Sequence, residues 1–323
     1  MSVLTLLDVA KINGADGGLM ELADEAVRLV PEIAGMTFVG GKLVQVPGVG
    51  AARSIKGTQY KTLIRTALPT FQFRDANQGV TPSNSVYENR LVSCFIANPR
   101  SQTDKAVADA NEDGPEALIA EEAQAVLSST FMGLGAQFYY GRNTNGDTKG
   151  HPGLIDAYDS TNMVVDAGGT TDNVSSSAWA VRFGPQNVQW VLGQNGKLAM
   201  DEVRVQTLPD PNDSTKFLTY YIQELLAWVG VQVKNKYSIA RIKKLTTDSG
   251  KGLTDARLGS LLALFPVGIM PDAIFCTRRS LEQLRQSRTA TNDTGKEAET
   301  PTNFQGVPLI PTDSIKNTEL LAS

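Results

Sequence analysis

The six residues DANEDG, Asp109 to Gly114, have the types and spacing that open a calcium-binding loop. Such a loop needs oxygen ligands at positions one, three and five, a glycine at six and a bidentate glutamate at twelve. Asp109, Asn111, Asp113 and Gly114 satisfy the first half, but position twelve is Ala120, which has no side-chain oxygen, and Glu121 lies one residue too far along. The same letters spell a helix start. Asp113 can cap, Pro115 suits the first turn where its missing N–H costs nothing, and Glu116 favours the positive end of the helix dipole. The stretch is expected to begin a helix rather than hold a metal.

Other chemistry is thin. His151 is the only histidine, which removes HExxH zinc sites and makes any histidine triad rest on one residue of the loop GDTKGHPG, expected to be solvated. A hydrolase would have to combine His151 with Asp147 or Asp156, and no spaced nucleophile supports it. PGVGAA and SGKG are glycine-rich without the GxxxxGK[ST] spacing that brings backbone N–H groups and a lysine onto one phosphate. Cys94 and Cys276 fit no zinc or redox spacing and read as two buried thiols in a reducing compartment. N-x-[ST] matches at Asn173, Asn212 and Asn292 carry no meaning without a secretory route. No cofactor, metal or catalytic residue is expected.

The chain of 323 residues is long enough to bury a sizeable core. Thirty basic against thirty-four acidic residues give a net charge of −4, so nothing global draws it to nucleic acid, and any contact with DNA would be local and non-specific. The start, MSVLTLLDVAKINGADGG, has no secretory pattern, and the apolar stretch around SLLALFPVGIMPDAIF is broken by Pro266 and Pro271. A soluble, internal protein is expected.

Stepping along the chain, residues 1 to about 50 form a sparse arm. One amphipathic helix is expected in LMELADEAVRLVPEI, with Leu19, Leu22, Ala26, Leu29 and Ile33 on one side and its end marked by Pro31. YKTLIRTALPTFQFR and SVYENRLVSCFI alternate like two strands, with Phe71 and Phe73 against Gln72 and Arg74, around the polar tip DANQGVTPSNS. A two-stranded arm of this kind is marginal alone and must pack on a larger body or another chain. From Glu116 to Tyr140 the residues Ile119, Ala123, Val126, Leu127, Phe131, Leu134 and Phe138 make an apolar stripe on a helix about 37 Å long. AWAVRF and NVQWVL, joined across Gly184 and Pro185, predict a hairpin; EVRVQTL and KFLTYYIQ predict another across PDPNDS. WVGVQVKNKYSIARIKKL reads as a strand-like run, LTDARLGSLLALFP as a helix carrying Leu253, Ala256, Leu258, Leu261 and Leu262, PDAIFCT as a buried strand, RSLEQLRQSR as a helix and GVPLIPTD as a last strand. Strands and helices mix without a regular βαβ repeat, so the fold class is α+β.

Four stretches, in this order, carry a resemblance. AEEAQAVLSSTFMGLGAQFYYG at 120–141, with the arm and the two-stranded loop before it, looks like the front half of the tailed-phage major capsid proteins of the Hong Kong 97-type fold. FGPQNVQWVLGQNGKLAMDE resembles their central region, although Trp190 and Leu192 stand where a Tyr-Pro pair is usual. WVGVQVKNKYSIARIKKL at 228–245 is similar to a strand of podovirus-type members, and FQGVPLIPTDSI at 304–315 resembles the final strand.

The resemblance implies a shell protein with an N-terminal arm at 1–50, an extended loop at 51–100, a peripheral domain at 101–177 and 199–245 with a spine helix at 116–140, and an axial domain at 178–198 and 246–323. It implies hexamers and pentamers of this chain in an icosahedral head around double-stranded DNA, within the virion, with scaffolding, portal and cement proteins as partners and no membrane. A sparse arm and a protruding hairpin order by adding area to a neighbour, and a closed lattice multiplies weak contacts. Phe71, Phe73, Arg74, Tyr87, Glu88 and Arg90 are the residues expected to contribute to such contacts. No motif carries the family's Lys–Asn crosslink onto a residue here. The alternatives are the hydrolase built on His151 and a phage decoration or tail protein.

Overall fold

The computed structural model describes residues 28–34, 36–39, 42–46, 49–157, 163–196, 200–210, 213–290 and 296–321. In chain order its first half comprises α1 (Pro31–Ala34), β1 (Met36–Val39), β2 (Lys42–Gln45), β3 (Ala52–Ser54), β4 (Gln59–Ala67), β5 (Val86–Ser93), β6 (Phe95–Ala97), β7 (Arg100–Asp104), α2 (Lys105–Ala108) and the spine α3 (Pro115–Tyr140). The second half comprises β8 (Val164–Asp166), β9 (Ser176–Val181), β10 (Val188–Leu192), β11 (Arg204–Pro209), β12 (Phe217–Glu224), β13 (Ala227–Val233), β14 (Ile239–Leu245), α4 (Asp255–Ala263), β15 (Ala273–Cys276), α5 (Arg278–Ala290), β16 (Asn303–Phe304) and β17 (Val307–Pro311).

The architecture is α+β. The largest sheet has the order β16-β17-β15-β9-β14-β8. Its central strands are covered on both faces, so their side chains alternate between two cores. Trp179, Val181, Ile239 and Phe275 face one core with the last turn of the spine, Phe138, Tyr139 and Tyr140. Ala178, Ala180, Ala240, Ile274 and Cys276 face the other, against Leu258, Leu261 and Leu262 of α4 and Leu284 of α5. Leu253 is buried there as expected, whereas Ala256 of α4 is exposed. α4 starts where Thr254 accepts the Arg257 N–H, a side-chain cap.

A four-stranded sheet, β3-β10-β13-β6, packs beside it, and a three-stranded sheet, β11-β12-β7, lies near the start of the spine. β11 and β12 pair antiparallel from Arg204↔Ile222 to Pro209↔Phe217, as the hairpin pattern predicts. The other predicted hairpin does not form. β9 and β10 enter different sheets, because the turn at Gly184 (φ 128°) redirects the chain, and Ser238 fixes it by donating to Asn187 Oδ1 at 3.1 Å. The run 228–245 also divides: β13 lies in the four-stranded sheet and β14 in the six-stranded one, broken where Asn235 accepts the Tyr237 N–H.

The spine begins at Pro115 as predicted, but its cap is Gly114 (φ 86°), with no side-chain cap bond from Asp113; Asn111 instead donates to the Gly114 carbonyl at 3.2 Å. The apolar stripe is buried only at its ends. Ile119 and Phe138 are buried, whereas Ala123, Val126, Leu127, Phe131 and Leu134 are half-buried, because few of the described residues cover the middle of the helix. The predicted arm helix lies outside the described residues as far as position 27. Within them, Pro31 opens a helical turn rather than closing one. The expected domain limits cut the six-stranded sheet, with β8 and β14 on one side of them and β15, β16 and β17 on the other.

Candidate inter-subunit surfaces

β4 and β5 form a two-stranded ribbon that leaves the body at its root and carries almost no core of its own. At the root, Val92 and Cys94 pack with Val191 and the partly buried Ile55, Tyr60 and Trp228. The Tyr60 hydroxyl donates to Gln232. Beyond it the ladder runs from Gln59↔Ser93 to Arg65↔Tyr87, then shifts register before Ala67. Residues 68–85 have no ladder at all.

Phe71 and Phe73 were expected on a strand, and this is corrected: both lie in the unpaired tip. Pro69 lacks the N–H that a continued ladder needs, and the register shift has already separated the strands. The tip is tied by side chains instead. Thr70 N–H donates to Ser83 Oγ at 2.8 Å, and Thr81 N–H donates to Gln72 Oε1 at 3.3 Å. Arg74 Nη1 donates to the Gln78 carbonyl at 3.1 Å. In an extended segment, positions two apart share a face, and the Phe71 and Phe73 rings meet edge-on at 4.8 Å. They are 78% and 91% exposed, so this aromatic pair faces solvent rather than any core of its own subunit.

Tyr87, Glu88 and Arg90 stand on β5, all exposed, opposite Arg65, Ile64 and Thr62. Arg65 donates to the Tyr87 hydroxyl at 3.2 Å and lies over its ring, which lowers the phenol pKa. Arg90 lines a cleft of about 370 Å³ at the ribbon's root with Phe95, Arg142 and Asp156. The ribbon also exposes Leu63, Leu68, Val80, Val86 and Leu91, which are not among the six expected contact residues. Their signal was present: apolar residues on a two-stranded arm too thin to bury them.

Charge separates this ribbon from the spine. Residues 51–100 carry seven basic and two acidic side chains; residues 104–122 carry one basic and seven acidic. The one base there, Lys105, is already paired with Asp109 at 2.6 Å. Glu112, Asp113 and Glu116 are exposed at the spine's start, and the pKa of half-buried Glu122 is raised by burial and by neighbouring Glu121. A second cleft, about 420 Å³, runs beside the exposed middle of the spine and is lined by Ile96, Ser129, Gly133 and His151 among others.

His151 corrects a further expectation: it is not solvated but 2% exposed. The spine's Gln137 shapes its loop, donating to the carbonyls of Asp147 and His151 at 3.0 and 2.7 Å and accepting the Asp147 N–H at 2.8 Å. The loop can turn so closely because Gly141 (φ 54°) has no Cβ to strike Gly153 and Asp156. The imidazole lies edge-on to Trp190 at 5.8 Å, with Nδ1 2.9 Å from the Pro152 carbonyl, to which it donates. Burial lowers its pKa, so it is neutral at pH 7. Asp156 is spent on the N–H groups of Arg142 and Gly153, and Asp147 accepts from Lys149 N–H. Neither carboxylate bonds to the ring, so the groups named for a hydrolase are brought near one another without forming a relay. Among the described residues, no three His, Cys, Asp or Glu side chains converge as a metal site. Both cysteines are free and buried.

The family model for major capsid protein GP7 matches residues 51–322. The chain belongs to that family. This capsid protein is similar in fold to a chain in the solved structure of bacteriophage Epsilon15, at 18% identity and a TM-score of 0.71, over 99% of this chain and 98% of that one. The capsid chain of bacteriophage JBD30 aligns at 11% identity over 82% of this chain and 88% of its own, with a TM-score of 0.47. That of Myoviridae phage XM1 aligns at 12% identity over 70% and 95%, with a TM-score of 0.45. These last two are too loose to carry weight. No curated protein sequence matches the chain. The fold is the Hong Kong 97-type phage capsid fold, and the protein is a structural subunit of the virion's capsid shell. No helix among the described residues is long and apolar enough to cross a membrane.

Proposed function

We propose that this capsid protein closes into an icosahedral head of hexamers and pentamers around double-stranded DNA, and that the ribbon of one subunit lies on its neighbour. The observation that carries this reading is the ribbon itself, whose apolar tip is left uncovered by the described residues and whose net positive charge is opposite to that of the spine's start. Phe71 and Phe73 supply apolar area; Arg74, Tyr87, Glu88 and Arg90 set register and charge matching against acidic residues such as Glu112, Asp113 and Glu116. The part-open middle of the spine offers the receiving surface. The subunit works as a building block and not as an enzyme, and its net charge of −4 makes packaged DNA a neighbour rather than a tightly held ligand.

On this reading residues 1–50 are the arm and 51–100 the extended loop. The peripheral domain takes 101–177 and 199–245 and the axial domain 178–198 and 246–323. Scaffolding, portal and cement proteins are the further partners. The test is assembly of the double variant Phe71→Ala/Phe73→Ala, followed by sedimentation and negative-stain electron microscopy. Folded subunits that need at least tenfold more protein to form shells are expected; shells at the wild-type concentration would remove the ribbon tip from the interface.

A further inference from the structure

The root of the arm meets the body at a carboxyl group that no element of the proposed function uses. Glu32, in α1, is 0% exposed, and no ion pair holds it among the described residues. The Thr312 hydroxyl reaches both its oxygens, at 3.2 and 3.0 Å, and is itself oriented by the Ser314 N–H at 3.2 Å. Ser314 supplies a further side-chain hydrogen bond. The Glu32 carbonyl accepts from Trp190 Nε1 at 3.1 Å. The spine makes room only through Gly135, where a Cβ would strike Ser314 and Val30 and come within 3.1 Å of Glu32 Oε1.

A carboxylate buried against two hydroxyls and a backbone N–H, with no cation, is costly to charge. Burial accordingly raises the Glu32 pKa to about 7, and the nearby Asp313 adds to the rise. The spine also presents Tyr139, whose phenol pKa is raised by burial first and by Glu32 second. Arg28 and Lys316 line a cleft of about 400 Å³ with Asp313 and Ser314, but Lys316 donates to the Asn145 carbonyl at 2.8 Å. β1, β17 and β10 have no titratable residue in their sequences.

We propose that Glu32, the turn from Thr312 to Ser314 and Gly135 form a proton-operated seat for the root of the N-terminal arm, tight while the acid is neutral and loosened when it ionises. Below pH 4.5, the ordinary value for this group, Glu32 is neutral whether seated or released and the seat is at full strength. Between there and about pH 7 the released acid ionises while the seated one stays neutral, which weakens the seat about tenfold per pH unit. Above about 7 both are ionised and the weakening is complete.

The experiment is hydrogen–deuterium exchange of residues 29–34 in the free subunit across this range, corrected for the intrinsic pH dependence. Wild-type protection is expected to fall by roughly two orders of magnitude and then level off, while Glu32→Gln stays flat at the acid-side value. A flat wild-type profile, or a Glu32→Gln profile that falls with it, overturns the proposal. Should the variant not fold, carboxyl ¹³C titration of the wild-type protein decides: a Glu32 midpoint near 7 supports the seat and a midpoint below 5 overturns it. Neither readout requires shells, so failure here is distinct from failure of the ribbon contact.

Discussion

Two strands show how differently this chain spends its apolar residues. β9, in the six-stranded sheet, is buried at every position, with Trp179 and Val181 on one face and Ala178 and Ala180 on the other. β5, two residues longer, is exposed at six positions of eight and touches a core only at its root. β9 pairs on both edges, with β14 and β15, whereas β5 pairs only with β4. The larger difference is whether the subunit supplies a second layer over the strand's face. The sheet is covered on both faces; the ribbon leaves its apolar residues open, which is why the proposed function gives them a neighbour.

The sharpest way to break this comparison is to damage the covered sheet. Glu319 is buried and accepts from Tyr140 and Ser177 hydroxyls at 2.7 and 2.6 Å and from Arg241 at 3.3 Å. Arg241 in turn lies over Trp179 and donates to Ser177. Glu319→Ala strips the carboxylate from a buried guanidinium, and a loss of about 3–5 kcal/mol in urea unfolding of the subunit is expected. Leu261→Ala, a cavity under the same sheet, should cost about 2–5 kcal/mol by the same measurement. Phe73→Ala in the ribbon should move subunit stability by less than about 0.5 kcal/mol, since the ring loses no covering atoms. A large loss there would mean that the tip is packed in the free subunit.

The smallest effect sharpens the contrast between root and core. Burial raises the pKa of both thiols, that of Cys276 to about 12. Cys94 sits at the ribbon's root and Cys276 in the sheet, so disulfide-exchange labelling of the native subunit should modify Cys94 first, with Cys276 reacting only on global unfolding. Equal rates would place the root within the same cooperative unit as the sheet.

What the sequence made legible follows from how local each signal is. The spine start was readable because Pro115 has one comfortable place in a helix, and β15 because a short apolar run between turns has few other uses. The predicted hairpin of β9 with β10 failed because both strands are buried and apolar, and nothing local says that Gly184 sends them to different sheets. His151 was misread for a similar reason, since Gln137 and Trp190, which bury its loop, lie 14 and 39 positions away. The exposed aromatic and charged types of the ribbon were readable, whereas the contrast between a basic ribbon and an acidic spine start emerges only when charge is counted by segment. Glu32 and Glu319 gave no signal, because a lone glutamate reads as solvated until the fold closes around it.

The Glu319 cluster also bears on the order in which the subunit can be made. Ser177 and Arg241 leave the ribosome well before residue 319 and cannot reach their final state until it arrives. A chain halted short of that point therefore lacks the carboxylate that Arg241, Ser177 and Tyr140 share, and this part of the core stays incomplete. Closure of the core thus waits on one of the last described residues, which plays no part in the proposed ribbon contact.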